Sequence, residues 1–341
     1  MNELRRRRRT LALLLAVTPA SLLVAVAVGS VPLPLQETWA ALLERLGLPG
    51  PGAGLSVTEE AILWTIRVPR VLLAALVGGG LAVVGAALQA VFRNPMADAG
   101  LLGVSAGAAL GAVIAVRLGW AAGTFLALPA AAFTGALAAI LLVYLLAQVS
   151  GRASLHGLLL TGIVVSALAS AGTSVLLVAT EEFRVKTVLF WLAGGLEGRS
   201  WPHLRLAAVG VLGGSALLLL LARPLDLLAL GEEEAASLGL AVNPTRLLVF
   251  GLCSLVAGAA TAVAGAVPFV GLMAPHALRP LVGPLGRHLL PAAFLGGALL
   301  VVLADLAART VSQSVDLPLG SLTAFVGAPY FLLALRASEG R

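Results

Sequence analysis

The spacing of its charges constrains this chain more than any other feature. Charge-poor apolar runs fall near residues 11–31, 68–92, 99–118, 121–148, 154–178, 203–222, 245–265, 267–282, 288–309 and 317–335. A helix crosses the hydrocarbon core of a bilayer in about 20 residues. Only helices and closed barrels satisfy their backbone in lipid. Barrel strands alternate polar and apolar residues with a period of two, whereas these runs are apolar throughout. Charged residues make up 11% of the chain and hydrophobic ones 60%, against roughly a quarter charged in a soluble domain. The prediction is an all-α polytopic membrane protein with about ten transmembrane helices, in a single domain spanning 1–341.

Two stretches depart from the simple pattern. The run at 267–282 is short and carries Pro268, Pro275 and Pro280, which predicts a broken helix. Thr187 to Gly195 is too short to span and fits a re-entrant or interfacial half-helix. The first run, Leu11 to Val31, exceeds the apolar region of a signal peptide and reads as an uncleaved helix.

Sidedness follows from basic residues, which favour the cytoplasmic side. With Arg5–Arg9 placed there, ten crossings return the C-terminus to the same side. Arg93, Arg152, Arg223, Arg246, Arg279, Arg287, Arg336 and Arg341 then also lie inside. Trp39, Trp64, Trp120, Trp191 and Trp201 fall at outer ends or outer loops, as interfacial tryptophans do. Arg67 and Arg70 come to the outer mouth of the second helix and Arg309 to the outer end of the ninth. Asp305, four residues before Arg309, shares its helical face and can pair with it. Small residues repeat every four positions at Gly103, Gly107 and Gly111 and at Ala75 and Gly79; such rows let helix backbones pack closely in lipid.

What the sequence lacks is equally informative. Carriers driven by ion gradients place acids or ion ligands mid-membrane, and no Asp, Glu, Lys or Arg lies at the middle of a run. Lys186 is the only lysine, and no Gly-rich loop precedes it, which excludes a phosphate-binding loop of the Walker type. His156, His203, His276 and His288 are scattered near helix ends without metal-ligand spacing. Cys253 is the only cysteine and reads as a small core residue. The net charge of +6 resides largely in Arg5–Arg9, a basic flank on a membrane helix of the kind that sets topology or meets anionic lipid. Nucleic acid is not an expected partner.

The longest internal polar stretch on the inner side, Arg223 to Asn243, reads "RPLDLLALGEEEAASLGLAVN". Glu232, Glu233 and Glu234 suit a helix N-terminus, where the helix dipole favours negative charge. Gly239 can end that helix in a left-handed conformation. The result is a short cytoplasmic helix between two spans, either a solvated connector or a lever for a cytoplasmic partner.

Three segments carry a family resemblance. They are "RVPRVLLAALVGGGLAVVGAALQAVFRNPMADAGLLGVSAGA", "LALGEEEAASLGL", and "PFVGLMAPHALRPLVG" followed by "ADLAARTVSQSVDLPLGSLTAFVGAPYFLLAL". Together they resemble the FecCD-type permeases of bacterial ABC importers for iron–siderophores, haem and cobalamin, over roughly residues 10–336. The resemblance implies an ABC importer type II permease architecture in the cytoplasmic (inner) membrane, with both termini cytoplasmic. It implies a homodimer with its path at the dimer interface, two ABC ATPase subunits below and an extracytoplasmic substrate-binding protein above. No cofactor is implied in this chain and no metal site; ATP and Mg belong to the ATPase subunits.

By the same resemblance, Arg67, Arg70 and Arg309 would meet acidic residues of the binding protein. Asn94 and Met96, with Leu155 and His156, would form the cytoplasmic gate, although the family often has a small hydroxyl residue where His156 stands. Glu232, Ala235, Leu238 and Gly239 would dock in a groove of the ATPase. The chain is expected to be a transport subunit and not an enzyme, with a ferric siderophore as first cargo and haem or cobalamin as others. The rival reading is an ion-coupled secondary transporter of a small solute. An integral-membrane enzyme would want a cluster of His or carboxylates that the sequence does not offer.

Overall fold

A computed structural model describes residues 2–29, 31–45, 47–48, 54–120, 123–149, 155–311 and 317–339 of the chain. Arg152 and Arg341, placed above on the inner side, lie outside the described residues. The helices are α1 (Asn2–Ala27), α2 (Leu35–Arg45), α3 (Val57–Ala61), α4 (Val68–Val91), α5 (Val104–Arg117), α6 (Ala127–Val149), α7 (Leu155–Val178) and α8 (Glu182–Leu192). There follow α9 (Trp201–Leu220), α10 (Ala222–Leu230), α11 (Glu232–Ser237), α12 (Val242–Ala264), α13 (Val270–Val282), α14 (Gly286–Thr310) and α15 (Leu319–Glu339). No strand occurs among the described residues. Ten of these helices fall on the ten apolar runs. Among the described residues seven helical stretches are long and apolar enough to cross a membrane, while α5 and the apolar part of α15 are shorter.

The bundle is built around α4, which packs against α9, α12, α13 and α14. Its glycines make that possible. A Cβ on Gly78 would collide with the carbonyl of Gly297 in α14, and one on Gly85 with the backbone of Gly271 in α13. The predicted small-residue row works in the same way at Gly107 and Gly111, whose missing side chains admit the backbone of α6 at Gly135 and Ala131. Such contacts replace the hydrophobic drive that lipid cannot supply. Gly103 serves a different purpose, because at φ +78° it turns the chain into α5, a conformation that favours glycine.

The start of the second span differs from expectation. Ser56 and Glu59 form a reciprocal capping box, with the Ser56 amide donating to Glu59 Oε2 at 2.8 Å. That starts the helix at Val57, well before the apolar run. A π-helical segment, Ile62–Arg67, joins α3 to α4 and shifts the bonding so that the Val68 amide donates to the carbonyl of Leu63. Pro69, which has no amide to donate, is accommodated just after this shift. Arg67 and Arg70 therefore sit inside a 35-residue helix rather than at its mouth.

Two membrane helices are only partial. The break foreseen at 267–282 falls only at its start: residues 265–269 are non-helical, and α13 then runs unbroken from Val270, beside Gly85, through Pro275 and Pro280. Gly85 lies six residues before the end of α4, roughly 9 Å into the bundle at 1.5 Å per residue. On the neighbouring side, the chain after α4 turns back inward and presents Asp98 to Gly271 before α5 begins. The half-helix expected at 187–195 appears as α8, starting earlier at Glu182, where Glu181 pairs with Arg184 at 2.9 Å.

Candidate functional site

The functional features divide between two ends of the bundle. One end carries Arg5–Arg9. There Gly283, after α13, approaches Arg7, and the Gly286 amide that opens α14 donates to Asp226 Oδ1 of α10 at 2.6 Å. This contact seats the α10–α11 hairpin under the bundle. Gly231, at φ 143°, separates the two short helices, and Arg93 reaches its vicinity from the end of α4.

Helix α11 closes as the sequence suggested. The Gly239 amide donates to the carbonyl of Ala236 and the Leu240 amide to that of Ala235, with Gly239 at φ +84°. That pair of bonds satisfies the last carbonyls of the helix. Glu232 ties the element to α12 through Arg246 at 2.9 Å. Of the four residues assigned to ATPase coupling, Ala235 is wholly buried and anchors the helix, whereas Glu232, Leu238 and Gly239 are exposed. Leu238 is 61% exposed, an apolar knob on an acidic helix.

Next to this hairpin runs the turn assigned to the gate. Asn94 Oδ1 accepts from the Met96 amide at 2.9 Å, and Met96 is 38% exposed. Leu155 and His156 open α7, and their side chains lie outside the described residues. Behind the turn is a polar layer that the sequence pattern did not reveal. Asp98 Oδ1 accepts from the Gly100 amide at 2.9 Å, Gln89 Nε2 donates to the carbonyl of Gly271, and Arg279 Nη2 donates to Gln89 Oε1 at 2.7 Å. The clue was a glutamine near the end of an otherwise apolar helix.

At the opposite end the three arginines assigned to docking are placed differently from one another. Arg67 and Arg309 are only 4% and 3% exposed, beneath the surface rather than ringing it. Both reach the C-terminus of α1, whose last four carbonyls have no partner within the helix. The carbonyl of Val24 accepts from the Val28 amide, and Ala25 from Arg309 Nη2. Val26 and Ala27 accept from Arg67 Nη1 at 3.2 and 2.7 Å. The set is complete. Arg67 Nη2 also donates to Val31, and Arg309 Nη1 to Val28 at 2.9 Å. Gly29 lies between the two guanidiniums, where a Cβ would come within 3.0–3.1 Å of both and crowd them.

Asp305 completes this cluster. It pairs with Arg70 at 2.9 Å and with Arg309 at 3.3 Å, the second contact as its i,i+4 spacing foretold. Arg70, by contrast, lines an open cavity of about 390 Å³, shared with Trp191, Glu197, Arg199 and Leu319. Burial there holds the Arg199 guanidinium below the ordinary arginine range.

Elsewhere, His203 takes part in the cap of α9 with Ser200, and His276 packs edge-on to Tyr330. Among the described residues no group of three His, Cys, Asp or Glu is placed to hold a metal ion.

Comparison with known proteins decides the family, for the model of the FecCD transport family matches residues 14–337. The chain belongs to the FecCD transport family. It is similar to the cobalamin import system permease protein BtuC of Halobacterium salinarum, with 43% identity over 84% of this chain and 77% of that protein. Identity to the hemin transport system permease protein HmuU of Yersinia pestis is 42%, over 83% of this chain and 87% of that one. A solved ABC transporter structure, inward-facing and assigned to the metal-chelate type, superposes with a TM-score of 0.85 at 30% identity, covering 97% of this chain and 99% of its own. This FecCD chain is thus the permease of an ABC importer, a transport subunit and not an enzyme.

Proposed function

We propose that two copies of this permease form the path of an importer for a bulky metal chelate, driven by two ABC ATPase subunits and loaded by an extracytoplasmic binding protein. The end bearing Arg5–Arg9 and the α10–α11 hairpin faces the cytoplasm of the inner membrane. One observation carries the reading: an ordered acidic helix, pinned by Glu232–Arg246, presents the exposed Leu238 on the same end as the Asn94–Met96 turn. A partner that moves this hairpin moves the neighbouring gate. ATP and Mg act in the partner subunits.

The docking role is refined by depth. Arg70, paired with Asp305 and lining the cavity, meets a carboxylate of the binding protein with its remaining N–H groups, a chemistry that suits the guanidinium. Arg67 and Arg309 shape the surface from beneath by holding α1. Relatives named for cobalamin and hemin match at 43% and 42% identity, and a ferric siderophore is the first cargo to test.

Reconstitution with the ATPase and binding protein should give uptake and stimulated hydrolysis with one of these chelates. Leu238→Asp should leave the fold intact and abolish uptake while hydrolysis continues. Uptake by this chain alone, abolished by an uncoupler, would overturn the proposal in favour of an ion-coupled carrier.

A further inference from the structure

We propose that the N-terminal turns of α1 form a binding site for one anionic phospholipid, its phosphate held by Arg5, Arg6 and Arg9 and an acyl chain lying along the helix below. At 26 residues α1 is about 39 Å long, longer than the roughly 30 Å hydrocarbon core. Its first turns must therefore project into the headgroup layer. Arg5, Arg6, Arg9, Thr10 and Leu13 line an open groove of about 370 Å³ on one face of α1. The three arginines are exposed, and no described side chain forms an ion pair with them.

The helix face beneath the groove continues the site. Leu13, Val17 and Val24, at helical spacing, are 62%, 38% and 49% exposed. The opposite face of α1 is occupied by the bundle, with Thr18 Oγ1 donating to the carbonyl of Leu295 in α14. Cationic groups directly above an apolar stripe match an anionic headgroup above its acyl chain.

Two other occupants fit less well. A second copy across a two-fold axis would set Arg5–Arg9 against the same five charges, a like-charge contact. A soluble ATPase could reach the arginines but not the stripe from Leu13 to Val24. Such a lipid site requires only that the bundle span a membrane, whatever the cargo and the coupling.

The test uses the full chain in neutral detergent, titrated with phosphatidylglycerol, phosphatidylcholine or inorganic phosphate. Lipid retention is read by native mass spectrometry and stability by thermal unfolding. One phosphatidylglycerol per chain should be retained where phosphatidylcholine is not, and retention should fall as salt rises. The triple variant Arg5→Gln, Arg6→Gln, Arg9→Gln should bind about a hundredfold more weakly, at roughly fivefold per arginine. Arg223→Gln, an exposed site on α10, should bind as the parent does.

Should the triple variant fail to insert, Leu13→Trp, which obstructs the groove without changing charge, should also weaken retention. Equal retention of the two lipids, or stabilisation by inorganic phosphate alone, would overturn the proposal. So would a Leu13→Trp variant that binds normally, or a triple variant that loses its dimer while keeping its lipid.

Discussion

Helix α1 carries arginines at both ends, and the two groups live in opposite circumstances. At its N-terminus Arg5, Arg6, Arg8 and Arg9 are exposed on the helix itself. At its C-terminus the arginines come from elsewhere, Arg67 from the π-helical segment before α4 and Arg309 from α14, and are buried on its carbonyls. The first group is strung along sequence; the second is assembled by folding. The same side chain thus serves as a membrane-surface charge in one place and as a helix cap in the other, and depth decides which. Cations near a helix C-terminus also complement its dipole, so the buried pair suits its site electrically as well as through hydrogen bonds.

If that contrast is correct, the buried end should tolerate very little. Asp305→Ala leaves Arg70 and Arg309 without their shared carboxylate, and breaking a buried pair in this way destabilises by about 3–5 kcal/mol. Thermal unfolding in detergent should show this as the largest loss caused by any one of these substitutions. A double-mutant cycle with Arg309→Met should reveal strong coupling, since both substitutions remove the same Asp305–Arg309 pair and its loss is counted once, not twice. Additive effects would break the picture of one cluster.

Arg67→Met should come next. The methionine keeps apolar bulk but leaves the carbonyls of Val26, Ala27 and Val31 without their donor. An unsatisfied buried acceptor costs about 1–3 kcal/mol. The expected loss is roughly 2–3 kcal/mol because α1 can fray by a turn and partly rehydrate. Faster proteolysis between α1 and α2, with the remaining bundle intact, would locate the damage. If Arg67 were a docking contact and nothing more, stability would be unchanged and only binding-protein affinity would fall.

These roles also show where the sequence was readable. The ten helices on the apolar runs, the proline break before α13 and the glycine end of α11 were legible because each is a local property of side chains. The partners of Arg67 and Arg309 were not, because the groups they bind are backbone carbonyls, which every residue carries. Gly29 was the one visible sign, a glycine closing a helix where two guanidiniums need the space. The depth of Asp98 escaped for a related reason. The stretch from Asn94 to Asp98 reads as a surface loop, whereas in the fold Asp98 packs against Gly271, at the close approach of α4 and α13 beside Gly85.

The pair Glu232–Arg246 sharpens the comparison, lying between the extremes: its arginine is buried while its carboxylate is 45% exposed. Glu232→Gln should destabilise by about 1 kcal/mol or less, as pairs open to solvent do. Its effect on transport should be larger than on stability, because the α10–α11 hairpin loses its tie to α12. Hydrolysis without uptake, in reconstituted vesicles, is the expected sign. Unimpaired uptake would mean that the Asp226 contact with Gly286 holds the hairpin by itself.

The smallest effect is expected at the other end of α1. Arg6→Gln removes an exposed charge that touches no described acid, and surface changes of this kind shift stability by about 0.5 kcal/mol or less. Yet the substitution is not neutral in a bilayer, where each arginine near an anionic surface contributes about 1 kcal/mol. Unfolding should therefore match the parent in uncharged detergent and diverge from it only when phosphatidylglycerol is added. That conditional difference separates the two arginine groups more sharply than their magnitudes do. A buried cap acts in any solvent that preserves the fold, whereas a surface charge acts only when its lipid partner is present. If Arg6→Gln lost stability equally in both conditions, the N-terminal arginines would be structural too, and the contrast between the ends of α1 would collapse.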